Sequence, residues 1–444
     1  MKKKSRQILE REPLALLLML MVWTTTVIAD EWPQWRGPGR DGVWNETGIV
    51  ESFESSELKI KWRTEISSGY SGPTVANGLV YVSDRVIEPD QIERVHCFDA
   101  NTGDAVWSYS YDCVYRNVGY TAGPRASVTL DEGRAYSLGT MGHLYCFDAA
   151  SGEVLWGHDL DAQYTIRMPI WGIASAPLIE GDLVIVQIGG ENESCLVAFN
   201  KVTGKEQWHA LADRTSYSAP IMIEQGGQRV LVCWTGDRIV GLNPQTAQLY
   251  WEHVYTPVNM VLAIASPVVE NDHLFVTGFY DGSLMLKIDR SQPTIEKVWR
   301  RRGGSERKTD SLHSIMSTPF LDGNYIYGCD SYGELRCLEA TTGDRVWEDL
   351  TAVPKARWSN IYFVRNADKV WMFNERGELI ISRLSPGGFE EISRAKLIEP
   401  TLNQLPSRSG RLQPGVCWSH PAFAYRHVFA RNDKELVCAS LEAR

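Results

Sequence analysis

The sequence predicts an all-β ring, an eight-bladed β-propeller with four-stranded blades closed by an N-terminal strand. Three observations predict it. A short motif ending in tryptophan recurs along the chain. A step from a small residue to proline recurs between those motifs. The last repeat ends without room for its fourth strand, while a matching strand stands at the front.

The elements follow in chain order. Lys2, Lys3, Lys4 and Arg6 precede an apolar run from Leu14 to Trp23, and Val27-Ile28-Ala29 lead to Asp30. This pattern is a secretory signal with cleavage expected after Ala29. The run is too short for a spanning helix, which needs about 20 residues. An uncleaved anchor is the competing reading. No cysteine follows the run and no later segment could span a bilayer, so the mature chain is expected to be exported, periplasmic or extracellular, without a transmembrane span. Residues 30–56, with Trp32, Trp35 and Trp44, read as a strap across one face of the ring. Residues 57–444 form the propeller, and the segment from Glu57 through Thr64 supplies the closing strand.

The repeat is clearest at its end. Asp99, Thr102-Gly103 and Trp107 make one copy, and Asp148, Ser151-Gly152 and Trp156 the next. Asn200, Thr203-Gly204 and Trp208 follow, then Asn243, Thr246-Ala247 and Trp251. Trp299 ends a degenerate copy, and Glu339, Thr342-Gly343 and Trp347 a clear one. Trp62 to Trp347 spans six intervals of about 47 residues each, a solenoid or propeller period. Trp62, Trp107, Trp156, Trp208, Trp251, Trp299 and Trp347 are the predicted docking residues, each burying a large ring between blades and seeking a partner for its N–H. Within a repeat, four short strands are read. In the third they are Ser175 to Ile179, Leu183 to Ile188, Cys195 to Phe199, and one beginning at Glu206. The strand-opening step gives a second count: Gly72-Pro73, Gly123-Pro124, Ala176-Pro177, Ala219-Pro220, Ser266-Pro267, Thr318-Pro319 and His420-Pro421, with a degenerate copy near Trp358-Ser359-Asn360. That makes eight blades. A closed ring also removes the open sheet edges that invite aggregation.

Nine cysteines in an exported chain invite a disulfide framework. Their positions argue otherwise. Cys97, Cys146, Cys337 and Cys438 share one repeat slot, filled by Ala198 in the third blade. A slot accepting Cys or Ala is small and buried, and free Cys serves there as a small hydrophobe. No Cys-x-x-Cys-His occurs to attach haem. The chain has 43% hydrophobic and 23% charged residues, which excludes wholesale disorder. Its net charge is −10, and removing residues 1–29 makes the body more acidic. An acidic body argues against nucleic-acid partners.

The repeat resembles the pyrroloquinoline-quinone (PQQ)-like propeller superfamily. Its tryptophan-docking motif is matched in full by Cys97-Phe98-Asp99 through Trp107 and by Cys146-Phe147-Asp148 through Trp156. The superfamily includes BamB-type scaffolds and quinoprotein alcohol dehydrogenases. The opening Trp32 to Gly42, with Gly123 to Ala126 and Met168 to Ser175, is similar to exported propellers of planctomycete-type bacteria. The resemblance fixes a fold and not an activity.

Chemistry is expected where long loops join each outer strand to the next inner strand, at 111–123, 161–175, 212–218, 301–317 and 385–418. They carry Arg116, Arg125, Arg167, Arg214, Arg357, Arg408 and Arg411, the rings of Tyr115, Tyr120, Trp171, Tyr217, Trp358 and Trp418, and His313 and His420. Arginine forks suit carboxylates or phosphates, and rings suit a planar or sugar-like ligand. No spacing marks a metal site or a catalytic set. The leading expectation is a non-enzymatic scaffold, a monomeric ring binding a protein or glycan through these loops. The alternative is a PQQ-dependent dehydrogenase of alcohols or sugars. The resemblance would then imply PQQ with Ca²⁺, held by Arg116 and Arg125 and stacked on Trp171 or Trp418. Against it, the adjacent Cys-Cys pair of those enzymes is missing, Asp112-Cys113 being the nearest approach. A hydrolase or lyase using His313 and His420 lacks any supporting spacing.

Overall fold

The computed structural model describes residues 30–405 and 414–443. The predicted leader, Arg408 and Arg411 lie outside them. The described chain folds into eight four-stranded antiparallel sheets. Seven blades are continuous in sequence: 74–112, 129–159, 178–210, 221–254, 268–301, 320–349 and 361–396. The eighth joins strands Ala422–Ala424, His427–Arg431 and Glu435–Ser440 to Ile60–Glu65 from the front of the chain. The closing strand runs antiparallel to Glu435–Ser440, with Trp62 opposite Cys438.

Inner strands are short, mostly three residues such as Thr74–Ala76 and Val268–Glu270. The two middle strands are buried on both faces. Leu183–Gly190 is buried throughout, which explains why Gln187 is its one polar side chain. Outer strands alternate, as in Val154–Asp159, because one face meets water.

The tryptophans bind neighbouring blades together. Trp62 Nε1 donates to the Ala100 carbonyl at 3.0 Å, Trp107 to Ala149 at 2.9 Å, and Trp156 to Lys201 at 3.2 Å. Trp208 donates to Pro244 at 3.0 Å, Trp299 to Ala340 at 2.8 Å, and Trp347 to Ser385 at 2.8 Å. Each ring lies against the turn of the following blade. A Cβ on Gly103 (φ +77°) would stand 2.7 Å from the Trp62 ring, so only glycine permits both that conformation and that approach. Trp251 departs from the pattern and donates to Gln225 Oε1 at 2.8 Å. The turn it would meet, 289–294, lacks the Thr-Gly step.

The shared cysteine slot has a simple cause. Across the sheet from each tryptophan stands Cys97, Cys146, Ala198, Gly241, Cys337 or Cys438, with Met285 the one large exception. A Cβ on Gly241 would collide with the Trp251 ring. All nine cysteines are buried and unpaired.

Three sequence expectations need correction. Gly123-Pro124 does not open the second blade, whose inner strand is Thr129–Asp131. Val128 stands where other blades have proline, and Gly123 instead packs against the Ser68 carbonyl and Arg85. The segment 385–418 is not all loop. Gly388–Lys396 is the outer strand of the seventh blade, unseen because it carries no tryptophan. The loop expected at 161–175 opens within a one-turn helix, Leu160–Tyr164, capped by Asp159.

The strap does more than cross a face. Each inner strand starts at the loop-rich funnel face and ends in a tight turn at the opposite face. Residues 30–46 enter from the turn side. Trp32 bridges to Val75 in the first blade, Leu130 N donates to Pro33 O at 2.8 Å, and Trp44 N donates to Arg365 O at 2.8 Å. Trp32 and Trp44 are 1% exposed and pack with Phe423 and Trp371. Arg40 enters the axis and donates to the carbonyls of Pro177 and Pro220. Burial pushes its guanidinium down to about 9. The strap is therefore a plug that fills one end of the axial channel.

Candidate functional site

The other end of the channel stays open. A cavity of about 140 Å³ sits at the centre of the funnel face. Its floor is Trp35, the tip of the plug. Trp35 Nε1 donates to Ser266 Oγ at 2.9 Å, and its ring meets His420 edge-on at 4.6 Å. Its walls come from the residues just before the inner strands. Ala176, Ala219 and His420 occupy the position preceding proline, and Ser127 holds the same place in the second blade.

His420 is the one large side chain at this small-residue position. Its room comes from Gly72 in the neighbouring blade, where any Cβ would collide with the His420 ring and carbonyl. His420 Nδ1 faces the Pro421 carbonyl at 3.2 Å, and Nε2 faces Ser127 Oγ at 2.6 Å. A carbonyl only accepts, so the proton sits on Nδ1 and Nε2 accepts from the serine hydroxyl. Burial pushes the imidazole down to about 4, which leaves it neutral at pH 7.

The upper walls are aromatic. Tyr120 stands at the centre, its ring 5.4 Å from Trp171, 5.7 Å from Trp358 and 6.0 Å from Trp418. Trp171 lies 5.3 Å from Tyr217. Tyr120 and Trp358 both hold left-handed backbone, at φ +57° and +70°, a conformation rare for bulky residues. Glu375 holds Trp418 in place, accepting from its Nε1 at 3.0 Å. Burial raises the Glu375 carboxyl, and contacts with Trp418, Arg376 and Ser359 oppose that.

Arg125 shapes the Tyr120 loop. Its Nη1 donates to Gly123 O and to Thr140 Oγ1, and its Nη2 to Gly119 O at 2.9 Å and Tyr120 O at 2.5 Å. Its guanidinium lies 5.1 Å from the Tyr70 ring centre. Among the described residues it makes no ion pair.

Of the sequence candidates, Tyr120, Arg125, Trp171, Tyr217, Trp358, Trp418 and His420 converge on this cavity. The rest do not line it. Arg116 and Arg167 are exposed on their loops. Arg214 pairs with Asp237 at 2.7 Å on the surface. His313 is fully buried, accepts from Gly303 N and faces the Phe279 carbonyl, so it ties loops together. Arg357 sits at the rim, 4.6 Å over the Trp358 ring and paired with Glu306 at 2.8 Å. Trp35, Tyr70, Ser127 and Tyr362 were not among the candidates. The signal for Ser127 was its equivalence to the position before proline. Trp35 gave no signal, since a strap has no period.

The profile of the family described as outer membrane protein assembly factor BamB matches residues 44–109 and 91–349. The chain belongs to this family. No curated protein matches it in sequence. Among solved structures, BamB from Moraxella catarrhalis is similar with a TM-score of 0.59 at 14% identity, covering 86% of this chain and 99% of that one. Quinohemoprotein alcohol dehydrogenase from Comamonas testosteroni gives 0.62 at 12% identity, covering 93% and 81%. A europium-containing methanol dehydrogenase gives 0.64 at 13% identity, covering 90% and 89%. At these identities the structural likeness establishes the propeller fold alone.

The cavity of this BamB-family chain does not fit PQQ with Ca²⁺. Three carboxylates would meet a single arginine, the one cationic side chain of the wall. Ca²⁺ takes about 6–8 oxygen ligands, largely carboxylate, and no Asp or Glu lines the wall. Among the described residues no cluster of three or more His, Cys, Asp or Glu is placed to hold a metal.

Proposed function

We propose that this chain is an exported, non-enzymatic scaffold that docks a polypeptide partner on its funnel face. One observation carries the reading. Large apolar side chains exposed in loops are segregated by face. Ile87, Val114, Ile170, Val258, Met260, Leu350 and Leu402 stand on funnel-face loops, while among the described residues Val202 is the one such residue on the turns of the opposite face. Exposed apolar groups gathered around a concave aromatic centre mark protein interaction surfaces. Membership in the BamB family supports the same reading. A glycan is less suited, because the wall hydroxyls of Tyr70 and Tyr362 already donate to Gln404 O and Trp418 O.

The test uses photo-crosslinking residues placed at Ile170, at Met260 and, as the opposite-face control, at Val202, in cells producing the full chain. The expected outcome is one discrete protein adduct from Ile170 and Met260, absent from Val202 and lost when Val258 and Leu402 become aspartate. Equal adducts from both faces, or none from either, would sink the reading.

A further inference from the structure

We infer that the axial cavity is a small-molecule site, distinct from the apolar rim, for a flat apolar monoanion of the aryl-carboxylate class. The charge inventory argues for one negative charge. Arg125 is the one charged residue in the wall at neutral pH, since burial keeps His420 neutral. Four neutral oxygens hold the Arg125 Nη groups and leave its charge uncancelled. Its Nε–H has no acceptor among the described residues. The nearest carboxylate in that network, Glu93, accepts from Tyr111 at 2.6 Å and from Tyr115, and stands opposite Arg85 in the sheet. Arg125 itself makes no ion pair among the described residues, its Nη groups going to neutral oxygens.

The rest of the wall argues for a flat apolar body. Trp35, Tyr120, Trp171, Tyr217, Trp358 and Trp418 surround a space otherwise lined largely by alanine, isoleucine and methionine. Hydrogen-bonding groups are few and mostly engaged. Trp358 Nε1 is an exception, a buried donor with no acceptor among the described residues. An unmatched cation and an unmatched N–H both seek an acceptor, which excludes a cationic guest despite the aromatic walls. The polar set is too sparse for a sugar, and the one cation too few for a polyanion. The left-handed backbone of Tyr120 and Trp358 adds preorganisation, because strain of this kind gathers at ligand sites.

The experiment is calorimetric titration of the mature chain with 2-naphthoate, its uncharged amide and 2-naphthylmethylamine, read in parallel by tryptophan fluorescence. Naphthoate is expected to bind one per chain, about tenfold or more tighter than the amide, with the amine silent. Arg125→Gln should abolish the preference for the acid over the amide, and Arg125→Lys should restore part of it. Trp171→Ala should weaken acid and amide together. A rim variant, Ile170→Asp, should leave naphthoate binding unchanged, so failure of the partner reading and failure of this one are separable. Equal affinity for acid and amide, insensitivity to Arg125→Gln, or no heat from any probe at millimolar concentration would overturn the proposal. So would binding only of a peptide ending in an aromatic residue.

Discussion

The two ends of one axial channel are built in opposite ways. At the turn side the chain lays down residues 30–46, buries Trp32 and Trp44, and gives Arg36 and Arg40 backbone carbonyls to hold. At the funnel side it leaves the axis open and lines it with partly exposed rings, two of them on left-handed backbone. The same eightfold frame thus carries a sealed end of buried side chains and an open end whose rings are partly exposed. The difference teaches that the floor of the cavity is made by the sealed end, since Trp35 is the tip of the plug.

The sharpest break in that comparison is a pair of tryptophan deletions. Trp44→Ala should lose about 3–5 kcal/mol, the range for a fully buried large aromatic. Trp171→Ala, at the partly exposed funnel wall, should lose about 1 kcal/mol. Guanidinium denaturation of both variants checks this, and equal losses would contradict the contrast.

A second prediction concerns acid. Burial lowers His420 from 6.5 to about 4 in the fold. The unfolded chain therefore takes up a proton below about pH 6.5 that the folded chain refuses until about pH 4. Stability falls as pH drops through that window, by up to about 3 kcal/mol from this group. In His420→Gln the fall should be shallower by about that amount, measured as ΔG of unfolding at pH 7, 5.5 and 4.5.

Arg40→Met should cost about 2 kcal/mol, because the Pro177 and Pro220 carbonyls lose a charged donor at a buried site. A thermal scan showing no shift would mean that the plug is held by its tryptophans alone. Least of all, Ile170→Asp should change stability by under about 0.5 kcal/mol, being exposed, while removing the partner adduct.

The frame was legible because it is periodic. Tryptophan spacing, the small slot opposite each ring and the ring-closing strand all rest on side-chain size repeating in register. The seventh blade shows the limit. Gly388–Lys396 has no tryptophan, and the sequence reading passed over it as loop. The site was legible only in part, for the same reason. Loop residues have no period to say which way they point. Arg116, Arg167 and Arg214 share loops with Tyr120, Trp171 and Tyr217, yet only the aromatic members turn inward. Burial decides this: an indole gains by leaving water, whereas a guanidinium must find partners first. Arg125 found them in the carbonyls of its own loop.

The plug also sets an order of assembly. Residues 30–65 touch the first blade through Trp32, the seventh through Trp44 and the eighth through Trp62. They precede the blades in sequence, yet Trp44 and Trp62 cannot settle until the seventh and eighth blades have been built. Contacts so distant in sequence slow a folding reaction. Trp44 and Trp62 therefore dock only once the seventh and eighth blades exist, which makes closure of the ring a late step.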